Sequence, residues 1–437
     1  MSIELLSLLF AGVFILVLLS GLPLAFATGA VAVVFAYGLF GLPGLTLVIS
    51  RVFTLMGNYV LISVPLFIFM ACILERAGVA EVIFRAVHVW AGGLPGGLGI
   101  AVIISCALMA TVVGVIGAEI VTMGVVALPA MLSRGYGKNI ALGSICAGGG
   151  LATLIPPSVV FIMYGLTSGV SIGQLYMAGV VPGILLALAY IAYIMWRSWR
   201  HPEEAPPPSA EERAIPMGEK LALLGPLVIP GLIALGVLGS LYLGIATPTE
   251  AAAVGVVGAV LAMAINGRLS FAAIRGAMID TTKVTTMLYW LFFGSSALIG
   301  VYTLAGGTRL IQDTMAALPV GPTGVLLIIM AIWIVLGCFI DWIGILLLTA
   351  PIFVPVIEKL GFDPVWMGVL FCLNMQISYV SPPFGPAAFY LKGVCPPGIT
   401  LADIFRSVWP FIGIQLLVLG LVIAMPQIAL WLPNTMK

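Results

Sequence analysis

Apolar runs of about twenty residues recur along almost the whole chain of 437 residues. A helix that crosses a bilayer needs about 20 mostly apolar residues. Only 8% of the residues are charged, against about 25% in a soluble domain, which excludes a soluble globule, a secreted disulfide scaffold, a nucleic-acid binder and a disordered chain. The sequence therefore predicts an all-α polytopic membrane protein, for which the candidate spans are 3–21, 24–41, 59–75, 139–168, 177–197, 220–243, 249–265, 284–304, 363–393 and 407–431.

Two longer regions, 98–133 and 322–358, have a different pattern. Each holds two apolar stretches that are too short to cross a bilayer separately. A glycine-marked break separates them, from Gly114 to Gly117 in the first region and near Gly337 in the second. This pattern is typical of re-entrant helical hairpins, whose irregular tips must be buried in protein or line a cavity.

The two halves of the chain resemble each other. A constant offset of 226 residues places Pro129 on Pro355 and Tyr164 on Tyr390, and it places the pair Pro156–Pro157 on Pro382–Pro383. Several matches at one offset, in segments of similar hydropathy, indicate a duplication. If each half has five crossings and one hairpin, the second half starts on the opposite side of the membrane, so the repeats are inverted.

A Pro-rich, charged linker divides the halves, and placing it in the cytoplasm puts most of the 17 lysine and arginine residues inside, as the positive-inside rule expects. Segments 42–57 and 268–283 are amphipathic and are expected to form separate interfacial helices. The predicted organisation is a first inverted repeat 1–197 (scaffold 1–75, hairpin 98–133, broken helix 139–168), a cytoplasmic linker 198–219, and a second inverted repeat 220–437 (scaffold 220–304, hairpin 322–358, broken helix 363–393).

A Pro-Pro pair interrupts a long apolar segment in each half, within GGGLATLIPPS (148–158) and QISYVSPPFGP (376–386). Proline lacks the backbone N–H and breaks a helix, which leaves carbonyl groups without partners. These carbonyls and nearby hydroxyls form oxygen-rich pockets that suit sodium, and the adjoining helix N-termini suit an anionic substrate. A single pair could serve only as a packing kink, but two pairs in register favour a functional break. The hydroxyls are those of Thr153, Ser158, Ser378 and Ser381.

Two acids, Glu119 and Asp341, each follow a predicted hairpin tip. Acids inside a membrane are costly and are candidates for ion or proton binding, but at a helix start they can equally cap exposed N–H groups. Asn374 and Gln376 could bind substrate or join helices, and together with Thr153 and Ser158 they are the substrate-binding candidates. No catalytic set and no phosphate loop is found in the sequence, so an enzyme and an ATP-driven pump are disfavoured, and no cofactor beyond a coupling ion is expected.

The segment GVIGAEIVTMGVVALPAMLSRGYGKNIALGSICAGGGLATLIPPS (114–158), with LGCFIDWIGILLLTAPIFVPVIEKLGFDP (336–364) and NMQISYVSPPFGP (374–386), resembles the large membrane subunit of tripartite ATP-independent periplasmic (TRAP) transporters. The resemblance covers essentially the whole chain. It implies an elevator-type, sodium-driven importer in the bacterial inner membrane. Its implied partners are a separate small four-helix membrane subunit and a periplasmic binding protein that delivers a small organic acid.

The resemblance also implies two sodium sites, with the substrate between the hairpins. At the first tip, VGVI (113–116) stands where many relatives have a serine-rich pattern. A free-standing sodium- or proton-coupled carboxylate symporter is the alternative within transport, whereas an intramembrane enzyme or a channel is disfavoured. The implied first site comprises Ala110, Val113, Ala152, Ile155 and Pro156, and the second comprises Gly337, Phe339, Ser378, Ser381 and Phe384.

Overall fold

The computed structural model describes residues 2–112, 117–206 and 216–436, and over these residues the protein is helical, without strands. Among them, seven helical segments are long and apolar enough to cross a membrane. The predicted all-α, multi-pass membrane class is therefore confirmed. The seven segments are Tyr59–Arg76, Ile172–Arg200, Met217–Tyr242, Pro248–Ile265, Phe271–Leu304, Trp342–Lys359 and Leu401–Ala424.

The helices fall into two series along the chain. The first series is α1 (Ile3–Leu19), α2 (Leu24–Phe40), α3 (Leu42–Met56), α4 (Ser63–Arg76), α5 (Val79–Ala91), α6 (Gly97–Ala110), α7 (Ala118–Ser133), α8 (Lys138–Gly150), α9 (Val159–Ser168) and α10 (Ile172–Arg200). The second is α11 (Met217–Ala222), α12 (Val228–Tyr242), α13 (Pro248–Ile265), α14 (Phe271–Leu304), α15 (Gly307–Ala316), α16 (Gly321–Gly337), α17 (Trp342–Lys359), α18 (Pro364–Val380), α19 (Pro386–Val394), α20 (Leu401–Ala424) and α21 (Gln427–Leu430).

The order of helices in the first half recurs in the second half. Helices α1 and α2 correspond to α12 and α13, the pair α3 and α4 corresponds to α14, and α5 to α10 correspond one by one to α15 to α20. The halves also exchange contacts, because α7 packs on α19 whereas α17 packs on α9. Likewise α8 packs on α20, and α18 packs on α10. The breaks in α8–α9 and α18–α19 therefore lie within a shared core rather than in two separate bundles.

Two groups of helices can be distinguished by their packing. Helices α2, α3 and α4 pack with α13 and α14, and α12 packs on α13. The helices α6 to α10 and α16 to α20 pack mainly among themselves. We call the first set the outer group and the second set the broken-helix group, and α17 packs against α14 at the boundary between them.

The expectation of a separate interfacial helix at 268–283 is wrong. This segment forms the first part of α14, which runs without interruption for 34 residues. No glycine or proline occurs between Ala277 and Phe293 to end the helix. In the first half, by contrast, α3 ends at Gly57, and the side chain of Asn58 caps the short 3₁₀ turn that leads into α4.

Two further helices, α5 and α15, precede the hairpins and were not expected from hydropathy. Each follows a glycine in the left-handed conformation, Gly78 at φ 73° and Gly306 at φ 90°. A side chain is strained in this conformation, so glycine suits the turn that starts each helix. Helix α5 buries one apolar face, including Ile83 and Phe84, and leaves a polar face exposed.

The predicted linker 198–219 is ordered where it leaves α10. Both carboxylate oxygens of Glu204 accept hydrogen bonds from the guanidinium of Arg197, at 2.8 and 2.7 Å. The backbone carbonyl of Glu204 accepts from the Gly137 N–H at 2.7 Å. The Arg197 guanidinium lowers the pKa of the Glu204 carboxyl. Residues 201–206 therefore lie fixed against the loop between α7 and α8.

Candidate functional site

Both predicted broken helices are interrupted at their Pro-Pro pair. In the first half, α8 ends at Gly150 and α9 begins at Val159. In the second half, α18 ends at Val380 and α19 begins at Pro386. The peptide bond within each Pro-Pro pair is cis. The two breaks thus have the same backbone plan, but their side chains differ.

At the first break, the hydroxyl groups donate hydrogen bonds to backbone carbonyls of the same segment. Thr153 Oγ1 donates to the Gly150 carbonyl at 2.9 Å, and Ser158 Oγ donates to the Thr153 carbonyl at 2.7 Å. Both side chains are buried. The described members of the predicted first sodium site are also buried, namely Ala110, Ala152, Ile155 and Pro156. Val113 lies outside the described residues.

At the second break, a buried hydroxyl group borders a small pocket and has no hydrogen-bond partner among the described residues. The end of α16 touches α18 so closely that a Cβ placed on Gly337 would lie 2.0 Å from Ser378 Oγ. Ser378 Oγ is buried and has no hydrogen-bond partner among the described residues. A pocket of about 10 Å³ lies between Gly337, Asp341 and Ser378, which is about the space that one water molecule occupies. This pocket is of the right size for a single small cation.

The remaining members of the predicted second site are arranged differently. Ser381 Oγ donates to the Ile377 carbonyl of its own helix at 2.6 Å. The side chains of Phe339 and Phe384 are 70% and 44% exposed. The structure therefore brings Gly337 and Ser378 together, whereas the two phenylalanines could contribute only through their backbone carbonyls.

The two membrane acids have different environments. Glu119 lies in the first turn of α7 and is fully buried, and neither carboxylate oxygen has a partner among the described residues. Glu119 therefore makes no capping hydrogen bond within the described part of the chain. Asp341 occupies the N-cap position of α17 but makes no capping hydrogen bond. Its carboxylate lies beside the backbone amides of Trp342 and Ile343 and lines the small pocket near Ser378.

The two buried amides join helices. Gln376 Nε2 donates to the Gly150 carbonyl at 2.9 Å, and these two positions are equivalent at the repeat offset of 226. The contact therefore marks the point where the broken helices of the two halves meet. Asn374 Nδ2 contacts Met330 Sδ at 2.8 Å and the Leu370 carbonyl at 3.2 Å.

A cavity of about 430 Å³ lies between the outer group and the broken-helix group. None of the four predicted substrate-binding residues lines it. Its aromatic residues were not predicted from the sequence, although Tyr379 lies two residues before the SPPFGP break and Tyr390 lies four residues after it. The cavity is lined by Pro23, Leu24, Ala25, Ile68, Val159, Val284, Met287, Leu288, Leu291, Asp341, Trp342, Ile343, Tyr379, Phe384, Pro386 and Tyr390.

The N-terminal ends of four helices converge on this cavity. Leu24, Val159, Trp342 and Pro386 line it, and each is the first residue of its helix, α2, α9, α17 or α19. Helix N-termini carry partial positive charge and unpaired N–H groups, which together favour an anion. The Tyr379 hydroxyl is buried and has no partner within the described part of the chain, so it can donate a hydrogen bond to a bound molecule. The arrangement can hold one carboxylate.

Comparisons with known proteins agree with one another. The model of the family described as "Tripartite ATP-independent periplasmic transporter, DctM component" matches residues 11–428. The chain is similar to the C4-dicarboxylate TRAP transporter large permease DctM of Rhodobacter capsulatus, with 31% identity over 98% of this chain and 99% of the relative. It is also similar to the DctM of Vibrio cholerae, with 29% identity over 99% and 98% of the two chains.

A third relative is the ectoine/5-hydroxyectoine TRAP transporter large permease UehC of Ruegeria pomeroyi, with 34% identity over 85% of each chain. Among solved structures, the YdaH transporter of Alcanivorax borkumensis has a TM-score of 0.65 and 13% identity, and the match covers 96% of this chain and 98% of that one. At that identity the likeness concerns the fold alone.

Proposed function

Because the chain belongs to the DctM family of TRAP transporter components, a family of transporters rather than enzymes, we propose that it is the large permease of a sodium-driven importer of a small organic acid. The observation that carries the proposal is the convergence of four helix N-termini on one cavity between the two helix groups. Helix ends that meet beside interrupted helices are typical of substrate sites in secondary transporters.

We propose that one sodium ion binds at the second break. The buried Ser378 hydroxyl lacks a partner, Gly337 lies against it, and the pocket between them has room for one small ion. Carbonyl and hydroxyl oxygens are the hard ligands that such a cation prefers. At the first break, we propose that the ligands are backbone carbonyls, since the hydroxyls of Thr153 and Ser158 are already engaged.

Transport is proposed to follow an elevator mechanism in which the broken-helix group moves against the outer group. Both groups line the cavity, so a relative displacement would change its exposure to the two sides of the membrane. A ligand drives such a change only by binding one state more tightly than the other. Sodium would do so by ordering the second break and the adjoining N-terminus of α17, which completes the substrate site.

We further propose inverted repeats in the bacterial inner membrane, with the 198–219 linker in the cytoplasm. The matching helix order of the two halves supports the repeat. The partners would be a small four-helix membrane subunit on a separate chain and a periplasmic substrate-binding protein.

The proposal is tested by uptake into proteoliposomes that contain this chain and its small subunit. An inward sodium gradient is applied with and without the cognate binding protein, with labelled organic acids, and a potassium gradient serves as control. The expected result is uptake that requires both sodium and the binding protein. Uptake that proceeds without the binding protein would instead establish a free-standing symporter. Uptake that is the same in sodium and potassium gradients would reject the coupling of transport to sodium.

A further inference from the structure

The charge around the 430 Å³ cavity is unusually simple. Asp341 is the only charged side chain among its lining residues, and no lysine, arginine or histidine lines it within the described part of the chain. Positive potential therefore comes only from the helix N-termini that meet there. Such ends stabilise a negative group that lies within the first turn and have little effect farther away.

The wall that α14 contributes is entirely apolar. Val284, Met287, Leu288 and Leu291 line the cavity there, and each presents only carbon or sulfur atoms. A second carboxylate held against this wall would lose its hydration without gaining a partner, which is costly for a charged group.

Aromatic rings complete the lining. Trp342 lies at the start of α17, Phe384 lies two residues before the start of α19, and Tyr390 lies in the second turn of α19. The side chains of Phe384 and Tyr390 are about half exposed, so their faces remain accessible to a molecule in the cavity. The volume is within the range of small-molecule sites, which usually combine an apolar lining with a few placed polar groups.

We propose that this permease selects monocarboxylates with an apolar, branched or aromatic body and discriminates against dicarboxylates. This inference rests on the proposed function, because it assigns the substrate class of the same cavity. The carboxylate lies at the N-termini of α9, α17 and α19, where the Tyr379 hydroxyl donates a hydrogen bond to it. The apolar body lies against Met287, Leu288 and Leu291.

The test measures ligand binding to the permease itself, so that the binding protein does not filter the ligands. The thermal unfolding midpoint of the full chain with its small subunit is recorded in sodium chloride, against rising 3-methylbutanoate or succinate. We expect 3-methylbutanoate to raise the midpoint at a concentration at least about tenfold lower than succinate, because an unpaired buried charge costs at least that factor. Equal or better stabilisation by succinate, or none by 3-methylbutanoate, overturns the inference.

A substitution on the α14 wall gives a second, independent test. Met287→Arg places a cation in the cavity that Met287 lines, and Met287 is 57% exposed, so there is space for the longer side chain. Succinate should then stabilise the variant at a concentration about tenfold lower than it does the original chain. Met278→Arg is the matched control, because Met278 lies on the same helix, is 56% exposed and does not line the cavity. An equal effect of both variants, or none of Met287→Arg, contradicts the inference.

The uptake assay separates the two levels of the proposal. Sodium- and binding-protein-dependent uptake of succinate, with no uptake of 3-methylbutanoate, would leave the transport function standing and reject the substrate class. Absence of any sodium-dependent uptake of an organic acid would reject the transport function itself.

Discussion

The two Pro-Pro breaks share a backbone plan but differ in how their polar groups are satisfied. At the first break, the hydroxyls of Thr153 and Ser158 donate to carbonyls of the same segment. At the second, the Ser378 hydroxyl is buried without a partner among the described residues and borders an ion-sized pocket. Satisfied polar groups make a region rigid, whereas a buried group without a partner is costly until a ligand arrives. The comparison teaches that two copies of one sequence motif can satisfy their hydroxyl groups differently, by internal hydrogen bonds in one copy and by leaving a hydroxyl available to a ligand in the other.

The largest expected effect comes from filling the close contact at the second break. A Cβ on Gly337 would lie 2.0 Å from Ser378 Oγ and 2.2 Å from Ser378 Cβ. Overpacking of this kind costs about 1–3 kcal/mol or more, so Gly337→Ala should abolish sodium-dependent uptake. Gly413→Ala on α20, where a Cβ meets nothing within 4 Å, is the control and should transport normally. Normal uptake by Gly337→Ala would show that this contact does not form the ion site.

The next prediction compares two serines, one at each break. Ser378→Ala removes a proposed sodium ligand, and we expect the sodium concentration for half-maximal uptake to rise about tenfold. Ser158→Ala removes a hydrogen bond to the Thr153 carbonyl and should lower the free energy of unfolding by about 1 kcal/mol with no change in sodium dependence. Sodium titrations of uptake and thermal unfolding measure both effects. If the two variants exchange these phenotypes, the first break is the open site.

The next prediction compares the two membrane acids, Asp341 near the second break and Glu119 near the first. Asp341 lines both the small pocket and the cavity, so Asp341→Asn should lower the initial rate of uptake about tenfold by weakening sodium binding. Glu119 is buried without a partner among the described residues, and a buried carboxyl without a partner is held far more cheaply in its neutral form. Glu119→Gln should therefore preserve both uptake and folded yield. Loss of uptake in a well-folded Glu119→Gln protein would assign Glu119 a direct role.

The smallest expected effect on uptake comes from removing the hydrogen bond between Gln376 and Gly150, which joins the two broken helices. The Gln376 side chain donates to the Gly150 carbonyl, which also accepts from Thr153 Oγ1, so the carbonyl keeps a partner when Gln376 is changed. Gln376→Leu should leave the maximal uptake rate nearly intact. It should lower the Hill coefficient for sodium toward one, since coupling between two sites requires a physical connection. An unchanged Hill coefficient would show that this contact carries no coupling.

Much of the helical plan follows from the sequence, because apolar length and Pro-Pro pairs act locally. The outer ends of the helix pairs α6–α7, α8–α9, α16–α17 and α18–α19 lie within about a turn of the limits expected from the sequence for those four segments. The continuity of α14 could not, because the amphipathic pattern of 268–283 is compatible with either a separate helix or the polar start of a longer one. Helix α5 could have been found from the spacing of Val79, Ile83, Phe84 and Val87, which places them on one helix face.

The site was harder to predict than the fold. Gly337 and Ser378 were named from motifs, and the structure places them in contact. The Gln376–Gly150 contact joins residues that are 226 positions apart, and the cavity takes lining from α2 and α14 as well as from the breaks. Such contacts depend on how the two halves pack. The hydrogen bonds of Thr153 and Ser158 are local by contrast, and they engage both hydroxyls within their own segment.

In the proposed mechanism, sodium orders the second break rather than the first. Hydrogen–deuterium exchange of the chain with its small subunit, in sodium chloride and in potassium chloride, measures this directly at both breaks. We predict that sodium slows exchange of the backbone amides of residues 338–342 and 384–385 and leaves those of residues 152–155 and 158 nearly unchanged. Sodium-dependent protection confined to the first break, or equal protection of both, would contradict the account.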